Sequence, residues 1–244
     1  MLTTMPGTGP PHPETFDAPG FASRLADVRG RVRAVAGGRP VRIVAVTKGF
    51  GPEAVDAARA AGLHDLGESY AQELTVKAAA TVGGGARSPE GTGSPVRWHF
   101  LGAVQRRKVR SLAPIVHLWH GVDREAAGLE IARHAPGAAV LVQVNVTGEP
   151  GHNGCGWDEA PALVDRLRSV DLDVRGLMAV GDRDDPRPQF ARLARLAAAL
   201  GLTELSMGMS GDFEAAVEEG STMVRMGRAL FGPRPVPDPG RRRR

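Results

Sequence analysis

Eight short apolar runs, at residues 41–46, 63–66, 97–101, 115–119, 140–146, 174–180, 204–207 and 222–226, alternate with segments of helical period. Each run is continuously apolar or nearly so, as strands covered on both faces must be. Alternation of such strands with helices builds a parallel sheet. Helix starts are marked by Pro52-Glu53, by Asp123-Arg124-Glu125, by Asp158-Glu159, and by Asp212 ahead of FEAAVEE. Eight strand–helix units in a chain of 244 residues fit one closed barrel better than an open sheet, since such barrels reach about 250 residues as one domain. The expected fold class is therefore α/β, a single-domain (β/α)8 TIM barrel. A further helix over 18–36, with Phe21, Leu25, Val28, Val32 and Val35 on one face, precedes the first strand and is expected to plug or pack beside the barrel floor.

The barrel is expected to occupy residues 16–232. An arm over 1–15 rich in Pro, Gly and Thr, and a tail over 233–244 rich in Pro and Arg, hold too little apolar surface to offset ordering entropy and are expected to be disordered. Residues 83–95, GGGARSPEGTGSP, read as an inserted flexible loop. The formal charge of +4 is carried by that tail, which leaves residues 1–232 neutral. The charge therefore gives no case for specific nucleic-acid binding, and salt-dependent binding by Arg241 to Arg244 stands only as an alternative. Cys155 is the single cysteine; it excludes an internal disulfide, fits a reduced cytoplasmic setting, and is not expected to be a catalytic thiol. No apolar run is long enough to span a bilayer, and the first residues lack the basic and apolar parts of a signal peptide, so no membrane partner is expected. The scattered histidines form no HxxxH and the lone cysteine no CxxC, so no metal is expected. The dinucleotide and triphosphate glycine motifs are absent.

Lys48 follows VRIVAV through Thr47, at the carboxyl end of the first strand, where parallel barrels build their sites. Alone, a strand-end lysine reads as a solvated rim residue. A barrel mouth, however, supplies the apolar or cationic surroundings that lower a lysine pKa and free a neutral amine to attack an aldehyde. A second signal is the stretch LSMGMSGDFEAAVEEGSTMVRMGRALFGPR, residues 205–234. Its SMGMSG segment, from Ser206 through Ser210 to Gly211, leads into a helix whose backbone N–H groups can meet an anion. Gly227 and Arg228 end the last strand, and Gly227 permits close backbone approach. Loops after the seventh and eighth strands are the usual phosphate corner of such barrels. Arg225, between Val224 and Met226, needs a buried acceptor. Asn145 needs partners for its amide, a cofactor edge being one of several. His99 reads as a hydrogen-bonded supporting residue rather than an acid or base.

These residues resemble the YggS/PROSC family, the pyridoxal phosphate homeostasis proteins, over about residues 21–231. The pieces that carry the likeness are AVTK ending at Lys48, GESYAQE at 67–73, WHFLGAVQRRK at 98–108, VNVTGE around Asn145, GLMAV at 176–180, and the long motif from Leu205. The resemblance implies a barrel like the amino-terminal domain of alanine racemase, fold type III among proteins that use pyridoxal 5′-phosphate (PLP), with PLP held as a Schiff base on Lys48. It implies a phosphate site at Ser210, Gly227 and Arg228, Arg225 facing the pyridine nitrogen, and Asn145, Ser206 and Met207 lining the ring. An arginine there disfavours protonation of that nitrogen and makes the ring a poorer electron sink.

The resemblance therefore implies a PLP carrier or regulator without strong turnover, acting as a monomer in the cytoplasm, with PLP-dependent client enzymes as candidate partners. The alternative is a PLP-dependent amino-acid racemase-like enzyme, which the lack of a racemase-type second domain argues against. The chain departs from the family pattern at Ser69, at Arg107, at His152-Asn153-Gly154, and at Arg228, where threonine is usual and whose loss removes a hydroxyl contact to phosphate.

Overall fold

A parallel sheet loses its edges when its last strand pairs with its first. In the computed structural model, which describes residues 17–83 and 95–234, β8 (Met223–Met226) pairs with β1 (Arg42–Val46), Val44 opposite Arg225 and Ala45 opposite Met226. Between them lie β2 (Asp65–Glu68), β3 (Arg97–Phe100), β4 (Val116–Val122), β5 (Ala139–Gln143), β6 (Asp173–Met178) and β7 (Glu204–Ser206). The strands form a closed barrel in chain order, the (β/α)8 fold expected from the alternating runs. The arm, the inserted loop and the tail lie outside the described residues, apart from Gly83, Pro95, Pro233 and Arg234 at their edges.

The outer layer is α2 (Pro52–Ala60), α3 (Ala71–Gly83), α4 (Arg106–Leu112), α5 (Glu125–His134), α6 (Ala160–Ser169), α7 (Arg187–Ala199) and α8 (Phe213–Glu218), preceded in the chain by α1 (Ala18–Val35) and followed by the short α9 (Arg228–Phe231). Side chains alternate across each strand. Ala45, Trp119, Val142, Leu177 and Val224 join the core beneath the helices, while Val44, Leu118, Leu141, Met178 and Met223 form a separate cluster inside the barrel. With both faces apolar over much of their length, the strands show no polar alternation in sequence.

Several expectations need correction. β5 and β6 end at Gln143 and Met178, short of the expected Val146 and Val180, so Asn145 lies beyond its strand. β2 begins two residues later than the apolar run at 63–66, because Leu63 closes the end of α2 through its N–H to Ala58 O at 2.9 Å, and Gly67 and Glu68 pair with β3. β4 continues to Val122 rather than stopping at Trp119, since His120 and Gly121 carry the strand on although neither is apolar. The amino-terminal helix is no floor. α1 packs against α8 and α9; Phe21 stacks on Phe231 at 5.1 Å, and Arg24 Nε donates to Leu230 O at 2.7 Å. At four residues, α9 is too short to cover the seam between β8 and β1, and the apolar face of α1 takes the eighth place in the outer ring.

Gly176 shows how tightly the sheet is set: a Cβ there would lie 1.7 Å from Glu204 O across the β6–β7 pair. Gly176→Ala is expected to cost about 3 kcal/mol or more. Gly30→Ala, in α1 with nothing within 4 Å, is expected to stabilise by roughly 0.5–1 kcal/mol. Urea unfolding midpoints test both, and equal effects would contradict this packing.

Candidate functional site

Thr47 and Gly49, on either side of Lys48, are pinned. Thr47 N donates to Gly67 O at 3.0 Å and Thr47 Oγ1 to Glu68 Oε1 at 2.6 Å. Lys77 Nζ, itself buried, donates to Thr47 O at 2.7 Å and pairs with Glu68 Oε1 at 2.5 Å. Gly49 N donates to Glu73 Oε2 at 2.8 Å. Lys48 is left half-buried, and its amine makes no hydrogen bond or ion pair with any described residue. Burial pushes its pKa down and the charge of Arg234, with a smaller push from Arg225, acts the same way; Glu68 and Glu73 pull against them. The outcome is a larger share of neutral, nucleophilic amine.

Arg225 sits one strand away and faces the barrel interior. Its Nη1 donates to Ser206 O at 2.6 Å and Ser206 Oγ at 2.9 Å, and its Nη2 to Ala179 O at 2.8 Å. Those are the buried acceptors that an arginine between two apolar neighbours requires. Burial pushes its pKa down to about 10, which leaves it charged at neutral pH. Its remaining N–H groups make no hydrogen bond with a described residue.

The loops after β7 and β8 are tied together, with Ala229 N donating to Ser210 Oγ at 3.1 Å. Gly208 has φ +92°, and a side chain there would meet Phe213 Cα at 2.9 Å, so glycine is required for this loop to turn into α8. A Cβ on Gly227 would lie 3.6 Å from Val46 O; Gly227 and Lys48 therefore share the mouth at the β1–β8 seam. Arg228 is exposed beside them and Met207 is buried. The N–H of Met209 is already held by Asp212 Oδ1 at 2.5 Å, so from this loop Ser210 and Gly211 are the groups that remain open to an anion.

Asn145 lies at the start of the loop after β5, and its amide closes that loop: Nδ2 donates to Glu149 O at 3.0 Å, and Oδ1 accepts from Thr147 Oγ1 at 3.0 Å and Gly148 N at 3.1 Å. His99 is buried between His120 and Asp65. The structure thus brings Lys48, Ser206, Arg225 and Gly227 to one end of the barrel. Sequence reasoning missed Glu68, Lys77 and His120. An acid and a lysine nine positions apart, one on a strand and one on the next helix, form no recognisable spacing, and His120 lay past the point where the fourth apolar run stopped.

A single closed barrel with a half-buried lysine at the end of β1 and a buried arginine on β8 defines the class to which the comparisons point. Residues 24–235 match the model of the alanine racemase N-terminal domain. A pyridoxal phosphate homeostasis protein of Pseudomonas aeruginosa is 40% identical over 230 residues, covering 88% of this chain and 96% of the relative. One of Deinococcus radiodurans is 39% identical over 199 residues, covering 78% and 88%. PipY of Synechococcus elongatus, solved with PLP bound, superposes with a TM-score of 0.73 at 30% identity, covering 87% of this chain and all of that one. The chain belongs to the pyridoxal phosphate homeostasis protein family.

Glu68 is held in the protein against burial, which raises its pKa, by Lys77 and Thr47, and its Oε2 has no partner. Removing Lys77 leaves a buried carboxylate without its counter-charge. Lys77→Met is expected to cost about 3–5 kcal/mol in urea unfolding, with most of the loss recovered in Lys77→Met/Glu68→Gln. A single variant as stable as the parent would contradict the pairing.

Proposed function

We propose that this chain binds PLP as a Schiff base on Lys48 and serves PLP homeostasis as a carrier, without strong catalytic turnover. The observation that carries the reading is the Lys48 amine, unpartnered and half-buried, opening at the same mouth as buried Arg225 and Gly227. The chain has two other lysines. Lys77 is held by Glu68 and Thr47 O, and Lys108 lies on α4 in the outer layer. The names of the relatives and the PLP in PipY support the same ligand.

When bound, PLP supplies an aldehyde for the amine, a phosphate, and a ring nitrogen that needs a partner. In this reading Ser210 donates its hydroxyl hydrogen to the phosphate, since its oxygen already accepts from Ala229 N. Gly227 lets the backbone approach, and Arg228 adds charge. Ser206, Met207 and Asn145 line the ring, Asn145 by contact more than by its amide oxygen, which is occupied within its own loop. Arg225 directs its remaining N–H groups at the ring nitrogen. A fixed cation there opposes protonation of the ring, which weakens it as a sink for carbanion charge. That weakens carbanion chemistry at this ring and supports a carrier without strong turnover. The reading sets the protein in the cytoplasm as a monomer, with PLP-dependent client enzymes as recipients.

Addition of PLP to the purified protein is expected to produce visible absorption that Lys48→Ala abolishes. A parent that stays colourless with excess PLP would reject the proposal. Incubation of the loaded protein with amino acids in deuterated water is expected to show no Cα exchange beyond that of free PLP, and rapid exchange would favour the racemase-like alternative.

A further inference from the structure

A chain of buried polar groups crosses the barrel interior from the mouth. Arg225 Nη1 lies 2.9 Å from Ser206 Oγ, Ser206 Oγ 2.9 Å from His120 Nδ1, His120 Nε2 2.8 Å from His99 Nδ1, and His99 Nε2 2.9 Å from Asp65 Oδ1. Arg97 closes the far end with Nε and Nη2 on the two oxygens of Asp65, at 2.9 and 2.6 Å. Ser206, His99 and His120 are each 0% exposed. The contacts link β8, β7, β4, β3 and β2, and the step from β7 to β4 spans the barrel.

The direction of every hydrogen bond follows from the two ends. A carboxylate only accepts, so His99 donates from Nε2 to Asp65. A neutral His99 then accepts at Nδ1, which makes His120 the donor from Nε2. His120 accepts at Nδ1 from the Ser206 hydroxyl, and Ser206 accepts from Arg225, which can only donate. Both rings are neutral in this assignment. Burial disfavours the imidazolium in each, Arg42 and Arg97 oppose a positive His99, and His99, Arg225 and Arg42 oppose a positive His120, while Asp65 favours both. A charged His99 would reverse the chain and leave the Ser206 hydrogen without an acceptor in it.

We propose that Asp65, His99, His120 and Ser206 are positioning residues: a one-way hydrogen-bond chain that fixes Arg225 against the ring nitrogen of PLP. This rests on the function proposed above and deepens it. Every hydrogen in the chain is donated away from the mouth, so the barrel interior offers the ring nitrogen the guanidinium and no transferable proton behind it. Asp65 and Arg97, remote from the mouth, thereby act on the cofactor ring through Arg225.

The test has two arms. In the protein without PLP, 15N NMR of labelled histidines is expected to show His99 and His120 both neutral with the hydrogen on Nε2, and Ser206→Ala is expected to shift the Nδ1 signal of His120. A charged ring, or a hydrogen on Nδ1 of either residue, would overturn the chain. In the second arm 15N-labelled PLP is bound, and Ser206→Ala and His120→Phe are expected to shift the ring-nitrogen signal and to weaken PLP binding about tenfold, the loss of roughly one charge-assisted hydrogen bond. Binding by the parent with no change of ring signal in His120→Phe, which alters a residue that does not line the ring, would defeat the positioning role alone. Failure of the parent to bind PLP would defeat the proposed function and this inference with it, and the histidine signals would show whether the chain itself is present.

Discussion

The pairing of β8 with β1 is the constraint on which the site depends. It joins segments almost a chain length apart, setting Val44 beside Arg225 and the Val46 carbonyl beside Gly227. An arginine inside a barrel would cost several kcal/mol if left unpaired. It is tolerated because the neighbouring strands supply its acceptors, Ser206 from β7 and Ala179 from just beyond β6. Closure then sets this paired cation beside β1 and the backbone that leads to Lys48.

Two further ionic groups work at different depths. Lys77, Glu68 and Glu73 hold the backbone on both sides of Lys48, so that its amine emerges from a fixed stem. Asp65 and Arg97 lie at the far end of the histidine pair, where hydrogen bonds from His99 and Arg97 outweigh burial and hold the Asp65 carboxyl well below the usual carboxylate range. A carboxyl with a depressed pKa contributes stability above its unfolded pKa and loses it as the pH falls, so acid weakens this end of the barrel. Among the described residues the charges inside the barrel are thus paired, whereas Lys48 at the opening has no partner.

The fold was legible because strands buried on both faces must be apolar along their length, and eight such runs leave few other ways to arrange 244 residues. Lys48 and Arg225 were legible for a related reason: a charge at the end of, or inside, an apolar run needs explaining. Glu68 and His120 were not legible. Their burial depends on partners that no local pattern announces, Lys77 from the next helix and Ser206 from across the barrel. The place of α1 escaped sequence reading too, since it is set by the shortness of α9 at the opposite end of the chain. Asn145 shows a converse limit: its amide needed partners and found them within its own loop.

The central claim is that one particular amine among three carries the cofactor. The most direct measurement is to incubate the protein with PLP, reduce it with borohydride, and locate the added mass by peptide mapping. The expected result is a phosphopyridoxyl group on Lys48 at near-stoichiometric yield, with Lys77 and Lys108 unmodified. Label on Lys77 or Lys108 in preference to Lys48, or no stable label at all, would contradict it.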